Sequence, residues 1–459
     1  MRFTRRLFDR HFSVSLVIFT CLATAGAALS CSSDESVALE AMDAGADTSV
    51  TDEASSDAGV LDASPGRDAA WFDGGPLPVT CTGSPCATSL VTTLGATDAD
   101  RDEGFCALLE DGTVACWGAN RAGQLGRGDD AGTLDSATAA RVVGLSDIVQ
   151  LDHTCARDKS GGVWCWGPAP QAPNDAGAAT IARTPVKVPL PPARSVAMGT
   201  EVGCAVVDND VLCWGKNTFA QLGPLDSTPA SAVLPPRAIA LPPGAPIRDI
   251  VVGKATFAFR EDGSILSWGA NPPLARVSPL FPDPNPGPLS MDRISSLDVA
   301  SDDACATAGG IGYCWGVSLA TVKTTDSPRT DRASPEPVVA PEPLVQIATT
   351  PVIFKPVGFY SRGVEQPQRW CAVAASGAVY CWGYNTSGQA GDGTKEHAYE
   401  AVRVQGLPVP AAEVKTMPDS TCALLTNGKV YCWGTNYYGQ LGNGKPKISS
   451  LVPQEVVLP

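Results

Sequence analysis

Twelve cysteines of this chain fall into six pairs set nine or ten residues apart: Cys106 and Cys116, Cys155 and Cys165, Cys204 and Cys213, Cys305 and Cys314, Cys371 and Cys381, Cys422 and Cys432. Thiols at such spacing can hold a metal or oxidise to disulfides. Zinc sites need closer ligand pairs and usually histidine. These pairs are dispersed along the chain, and beyond the first 30 residues the only histidines are His153 and His397. Oxidation is therefore the expected chemistry, with no metal and no cofactor.

Local turn chemistry supports the pairing. In the first pair a three-residue loop, Glu110-Asp111-Gly112, places Cys106 opposite Cys116. Such loops favour glycine at the third position, where the backbone turns left-handed. Gly161, Gly263, Gly377 and Gly428 stand at the same place in other copies. The two shorter pairs centre on Asp208-Asn209 and Gly309-Gly310, which suit two-residue primed turns. Loop length changes while the cysteines stay opposed. A further copy carries Phe257 and Ser267 in their place, so both thiols are absent together. Opposed strand residues lie within disulfide reach, and Cys81 with Cys86 closes one more small loop.

Other chemistry is sparse. His153 reads as a hydrogen-bonded strand residue and His397 as a solvated loop residue. No Ser-His-Asp centre is recognisable, and no glycine-rich phosphate loop leads from a strand into a helix. Carboxylates are numerous, as in any acidic protein. Arg127-Gly128-Asp129 spells an adhesion tripeptide that chance explains better.

These residues must be positioned by a repeat. Each hairpin ends in Trp-Gly, at Trp117, Trp166, Trp214, Trp268, Trp315, Trp382 and Trp433, with intervals of 49, 48, 54, 47, 67 and 51 residues. β-rich runs such as Ile148–Leu151 precede each hairpin, and shorter ones such as Pro185–Val188 lie further upstream. Four short strands per repeat of about 50 residues predict an all-β fold, a seven-bladed β-propeller over residues 81–459. The first copy lacks a clear first strand and the chain ends in an unassigned one, Leu451–Leu458. The reading is a ring closed by the C-terminal strand.

Trp117-Gly118-Ala119-Asn120-Arg121-Ala122-Gly123-Gln124-Leu125-Gly126 resembles the regulator of chromosome condensation repeat family. The pattern recurs from Trp433 to Gly442 and nearly intact from Trp382 and Trp214, while the copies after Trp166, Trp268 and Trp315 are degraded. The resemblance implies seven-bladed propellers. The founding nucleotide-exchange activity is not expected here, since the chain reads as exported. Secreted bacterial relatives include a propeller that inhibits β-lactamases by protein binding. The paired-tryptophan photochemistry of the plant relative is not implied either.

Residues 1–30 read as a lipoprotein-type signal peptide: Arg2, Arg5, Arg6 and Arg10, then an apolar stretch from Phe12 to Leu22, then Ala27-Ala28-Leu29-Ser30-Cys31. Cys31 is the expected lipid attachment site. Cysteine parity agrees, because Cys21 leaves with the leader and Cys31 alone is unpaired. Cleavage after Ala27 or Ala28 is the alternative. Thr4–Phe8 also resembles a twin-arginine signal. Residues 31–80 carry eleven acids against Arg67 and read as an acidic disordered linker. Of the net charge of −15, the first 30 residues carry +3 and the linker −10, which leaves −8 for the propeller. An acidic ring excludes nucleic acid, which needs a basic surface. The expected location is a bacterial outer membrane or cell surface, with contact to the bilayer through the lipid alone, and the expected state a monomer.

The longest interval, Trp315 to Trp382, holds two additions, Ser318 to about Glu342 and Pro351–Arg369. Both should emerge on one face of neighbouring blades. The second carries Phe354, Phe359, Tyr360, Arg362 and Arg369, residue types that anchor interfaces, and these are the candidate partner-binding residues. An Ω-loop packed on itself is the structural alternative. The favoured function is a non-enzymatic binding protein presenting one face to a protein or surface glycan. A lyase or glycosidase working at the central channel, and a structural envelope component, are the alternatives.

Overall fold

The computed structural model describes residues 72, 74–95, 101–169, 181–225, 229, 232–316, 332–356 and 362–459. Seven four-stranded antiparallel sheets form a ring, a seven-bladed β-propeller. Blade one runs Ala87–Thr92, Gly104–Leu109, Val114–Gly118 and Ser136–Arg141 from the inner strand outward, and blade seven runs Ala411–Thr416, Ser420–Leu425, Val430–Gly434 and Ser450–Glu455. Each blade is a contiguous stretch of chain. The cores lie between blades: Leu90, Phe105 and Trp117 of blade one pack with Leu424, Leu441 and Val456 of blade seven.

The hairpins have the expected register. Cys106 faces Cys116, Cys204 faces Cys213, and Phe257 faces Ser267. Six hairpin disulfides span Cα–Cα distances of 4.0–4.1 Å, and Cys81–Cys86 makes a seventh. Gly428, at the turn of blade seven, has φ +78°, and a Cβ there would sit 2.1 Å from Cys86 Sγ. Only glycine fits both the turn and this approach.

Ring closure differs from the expectation. The strand Ser450–Glu455 pairs with Val430–Gly434 in blade seven and completes no part of blade one. The run taken as the first strand of each repeat is the outer strand of the preceding blade: Ala182–Lys187 pairs with Val163–Gly167. The repeat period is the same under either assignment, so only the pairing fixes its phase. Among the described residues no strand is exchanged across the seam. Instead, residues before the first blade run along the hairpin turns. Phe72 lies beside Gly310 in blade five, Leu77 beside Gly377 in blade six, and Thr80 N–H donates to Thr426 O in blade seven at 2.7 Å. This strap follows the hairpin turns of blades five, six and seven and ends at blade one, where Glu110 N–H bonds Cys86 O at 2.9 Å.

Candidate functional site: the loop face and channel mouth

The repeat motif builds the side of the ring opposite the strap. In each intact copy the asparagine after Trp-Gly accepts a backbone N–H five residues on: Asn120 from Leu125, Asn217 from Leu222, Asn385 from Ala390 and Asn436 from Leu441. That folds the loop and turns its glutamine carbonyl toward the next blade. There a tryptophan indole N–H bonds it, Trp166 to Gln124 O and Trp433 to Gln389 O, both at 2.9 Å. The closing glycine makes room: Gly442 has φ +61°, and a Cβ there would meet Trp117 Cδ1 at 2.9 Å. The tryptophans are seam residues.

The inner strands line the channel, and their polar side chains are engaged. Gln150 accepts Val196 N–H and donates to Val196 O, and Gln346 does the same with Val414. Asp152 accepts Met198 N–H at 2.7 Å, Asp298 accepts Thr349 N–H at 2.8 Å, and Glu413 accepts Leu90 N–H at 3.0 Å. Each bond joins one blade to the next. Lys415 lies among these acids, 3.4 Å from Glu413. Burial lowers its pKa, but the charges of Glu413, Asp298 and Asp152 outweigh that and raise it. A lysine held charged is no nucleophile. Burial raises the pKa of Asp152 against the pull of His153.

At the mouth, the residue three before the first hairpin cysteine, or its Phe257 equivalent, is polar in all seven copies: Glu103, Asp152, Glu201, Lys254, Asp302, Gln368 and Asp419. Glu201 pairs with Lys216 at 3.1 Å and Lys254 with Asp302 at 3.0 Å. The sequence reading overlooked this ring of five acids against one lysine. Its signal was a fixed offset from the cysteines.

Between blades six, seven and one this register sinks into a buried clamp. Arg369 is 1% exposed. It donates to Ser420 O at 2.6 Å, Thr421 Oγ1 at 3.0 Å and Pro418 O at 3.3 Å. From the other side, Glu103, also 1% exposed, accepts Asp419 N–H at 2.6 Å, Ser420 O–H at 2.5 Å and Gln440 Nε2 at 3.3 Å. Burial and the Asp419 charge push the Glu103 carboxyl up to about 7, against the hydrogen bonds and Arg369. Burial brings the Arg369 guanidinium down to about 10, opposed by Glu103 and Asp419.

This corrects one candidate residue. Arg369 cannot meet a partner, because it is buried and donates to the blade-seven turn and to Cys371 Sγ of its own blade. The addition it ends is a hairpin, Ile353–Pro356 with Arg362–Gln366, anchored at its base where Gln366 Nε2 reaches Pro418 O. Phe354 and Arg362 fall on those strands, while Phe359 and Tyr360 lie outside the described residues, as do Cys31, the leader, most of the linker and residues 317–331. His153 bonds Thr92 O at 2.9 Å. His397 is not merely solvated: it stacks on Tyr384 at 4.9 Å and accepts Asn385 N–H. Arg127 is folded back onto Cys116 O and Thr138 O, so the adhesion tripeptide is not presented.

The Regulator of chromosome condensation (RCC1) repeat matches residues 102–124 and 419–440. The Ultraviolet-B receptor UVR8 of Arabidopsis thaliana is 27% identical over 74% of this chain and 76% of its own length. The human E3 ubiquitin-protein ligase HERC2 is 23% identical over 74% of this chain but only 6% of its own length. The Guanine nucleotide exchange factor SRM1 of Saccharomyces cerevisiae is 30% identical over 47% of this chain and 51% of its own. Among solved structures, Prp20p of Saccharomyces cerevisiae, described with binding properties to Gsp1p and histones, superposes with a TM-score of 0.58 at 17% identity, covering 74% of this chain and 85% of that one. Human WBSCR16 gives 0.59 at 17% identity over 75% and 93%.

Proposed function

We propose, from the premise that this chain is a member of the regulator of chromosome condensation repeat family, that it is an exported, lipid-anchored, non-enzymatic propeller whose loop face holds a protein partner. Propellers of this family are protein-binding or regulatory scaffolds. Relatives as different as a light receptor and an exchange factor share the ring, so the fold selects no single activity.

One observation carries the reading. The addition that departs from the repeat on the loop face, the hairpin 353–366, stands on a clamped base. A hairpin held at its base loses little freedom when it binds. The channel supports a binding role in a second way, because Asp152, Asp298 and Glu413 each hold an inter-blade backbone N–H.

Two experiments test the proposal. Changing Cys31 to Ala should release the protein from membranes, and continued attachment refutes lipidation. Replacing residues 354–365 by a short turn, with Gln366, Gln368 and Arg369 kept, should abolish partner capture while the melting temperature holds. Equal capture rejects the hairpin as a binding element. Turnover of a glycan by the shortened variant favours the enzyme alternative.

A further inference from the structure

Six of the seven disulfides among the described residues are sealed inside the blades. Their cysteines, all in the hairpins, are 2% exposed or less. The seventh joins Cys81, at the end of the strap, to Cys86, which precedes Ala87, the first residue of blade one. Its two ends differ. Cys86 is buried, and its Sγ packs so closely on the turn of blade seven that a Cβ on Gly428 would sit 2.1 Å away. Cys81 is half-buried, and Thr82, Gly83, Ser84 and Pro85 between the two are exposed. A carboxylate oxygen of Glu110, itself an exposed residue, lies within 4.8 Å of both sulfurs. The blade does not depend on this bond for its pairing. Ala87 N–H bonds Gly428 O and Glu110 N–H bonds Cys86 O, both at 2.9 Å.

We infer that Cys81–Cys86 is a thiol–disulfide exchange site, attacked at Cys81 by a dithiol, and that its reduction loosens the strap from blade one. This goes beyond the protein-binding reading and stands without it. An attacking thiolate must reach one sulfur of the bond, so access decides which disulfides exchange. Cys81 offers that access, and the hairpin pairs do not until a blade opens. The thiolate bonds Cys81 Sγ, the S–S bond breaks, and Cys86 leaves as a thiolate that takes up a proton. The second thiol of the reductant then displaces Cys81, and the reductant departs as a disulfide. Two electrons and two protons pass from the dithiol to the protein. The strap is then left with Thr80 N–H on Thr426 O, and with Phe72 and Val79 against the blade cores. Glu110 selects the attacker. Its charge repels an incoming thiolate, and more strongly one with a further negative charge, so the site suits a neutral or cationic dithiol.

The test treats the folded full chain with graded dithiothreitol, without denaturant, then alkylates it and maps the labelled cysteines by mass spectrometry. Cys81 and Cys86 should be labelled at least about a hundred-fold faster than any hairpin cysteine. A monothiol, cysteamine, should be trapped as a mixed disulfide on Cys81 and not on Cys86. Glu110→Gln should react with dithiothreitol about four-fold faster at low salt, and the difference should shrink as salt rises. After selective reduction, proteinase K should cut within residues 72–80 sooner, while the ring still melts in one cooperative step. The double variant Cys81→Ser, Cys86→Ser should be cut as the reduced protein is. Hairpin cysteines labelled as fast as Cys81, or a Cys81–Cys86 bond that outlasts the ring, overturns the site. A mixed disulfide on Cys86 overturns the point of attack. Equal rates in Glu110→Gln reject selection by charge, and unchanged cutting after reduction rejects the strap as the target.

Discussion

The indole N–H of Trp117 donates to the main-chain carbonyl of Gln440 at 3.0 Å, across the seam between the first and last blades. The same bond joins Trp166 to Gln124 and Trp268 to Gln221. At those seams the chain itself continues from blade to blade. At the closing seam it does not, so the bond works there without covalent support.

Trp117→Phe should therefore cost more than Trp166→Phe. Each loses a buried hydrogen bond and some packing volume, about 1–3 kcal/mol. Thermal melts of both variants decide this. A smaller effect at 117 than at 166 would mean that the closing seam is no weaker than the rest.

The repeat, the hairpins and their cysteines were legible because they are local: a turn of fixed length sets its own register. Closure was misread because the run Ala182–Lys187 lies between two hairpins and its sequence does not say which one it joins. The clamp was invisible for another reason. Arg369, beside aromatic residues in an inserted loop, has an interface residue's composition, and its burial follows from a carbonyl cluster on Met417, Pro418 and Ser420 some 50 positions away.

Arg369→Met keeps the side chain's length and removes its donors. The Ser420 and Pro418 carbonyls lose a partner and Glu103 loses a compensating charge. Breaking a buried network in this way costs about 3–5 kcal/mol. Chemical denaturation should show the loss, and Arg369→Lys should restore part of it. Wild-type stability in Arg369→Met would show that the clamp does not hold the blades.

The strap predicts a graded loss. Phe72→Ala removes one contact with the cluster around blades six and seven, worth about 1–2 kcal/mol for a half-buried aromatic ring. Deleting residues 72–80 should cost more, because Thr80 N–H no longer bonds Thr426 O. Limited proteolysis should then cut first at the seam between blades one and seven. Cutting elsewhere would show that the ring closes without the strap.

The disulfides should be separable from the fold. Each of the six hairpin links closes a loop of about ten residues and contributes roughly 2–3 kcal/mol. Blade four manages with Phe257 opposite Ser267. Replacing Cys155 and Cys165 together should thus lower the melting temperature without opening the ring. Mass spectrometry of the unreduced protein should find the six links within repeats and Cys81–Cys86 before the first. A link between different repeats would contradict the register.

The last prediction concerns pH. The Glu103 carboxyl moves from its ordinary 4.5 up to about 7, by burial first and by the Asp419 charge second. Between those values the folded protein holds a proton that the unfolded chain releases. Stability from this group is fully present below pH 4.5 and is lost as pH rises through 7. Glu103→Gln keeps an acceptor for Asp419 N–H and cannot ionise. The wild type should therefore lose on the order of 3 kcal/mol relative to Glu103→Gln between pH 4.5 and 8, the equivalent of a shift of about two and a half units. Denaturation curves across that range give the difference directly. Parallel profiles would place the Glu103 proton elsewhere and leave the seam between blades one and seven insensitive to pH.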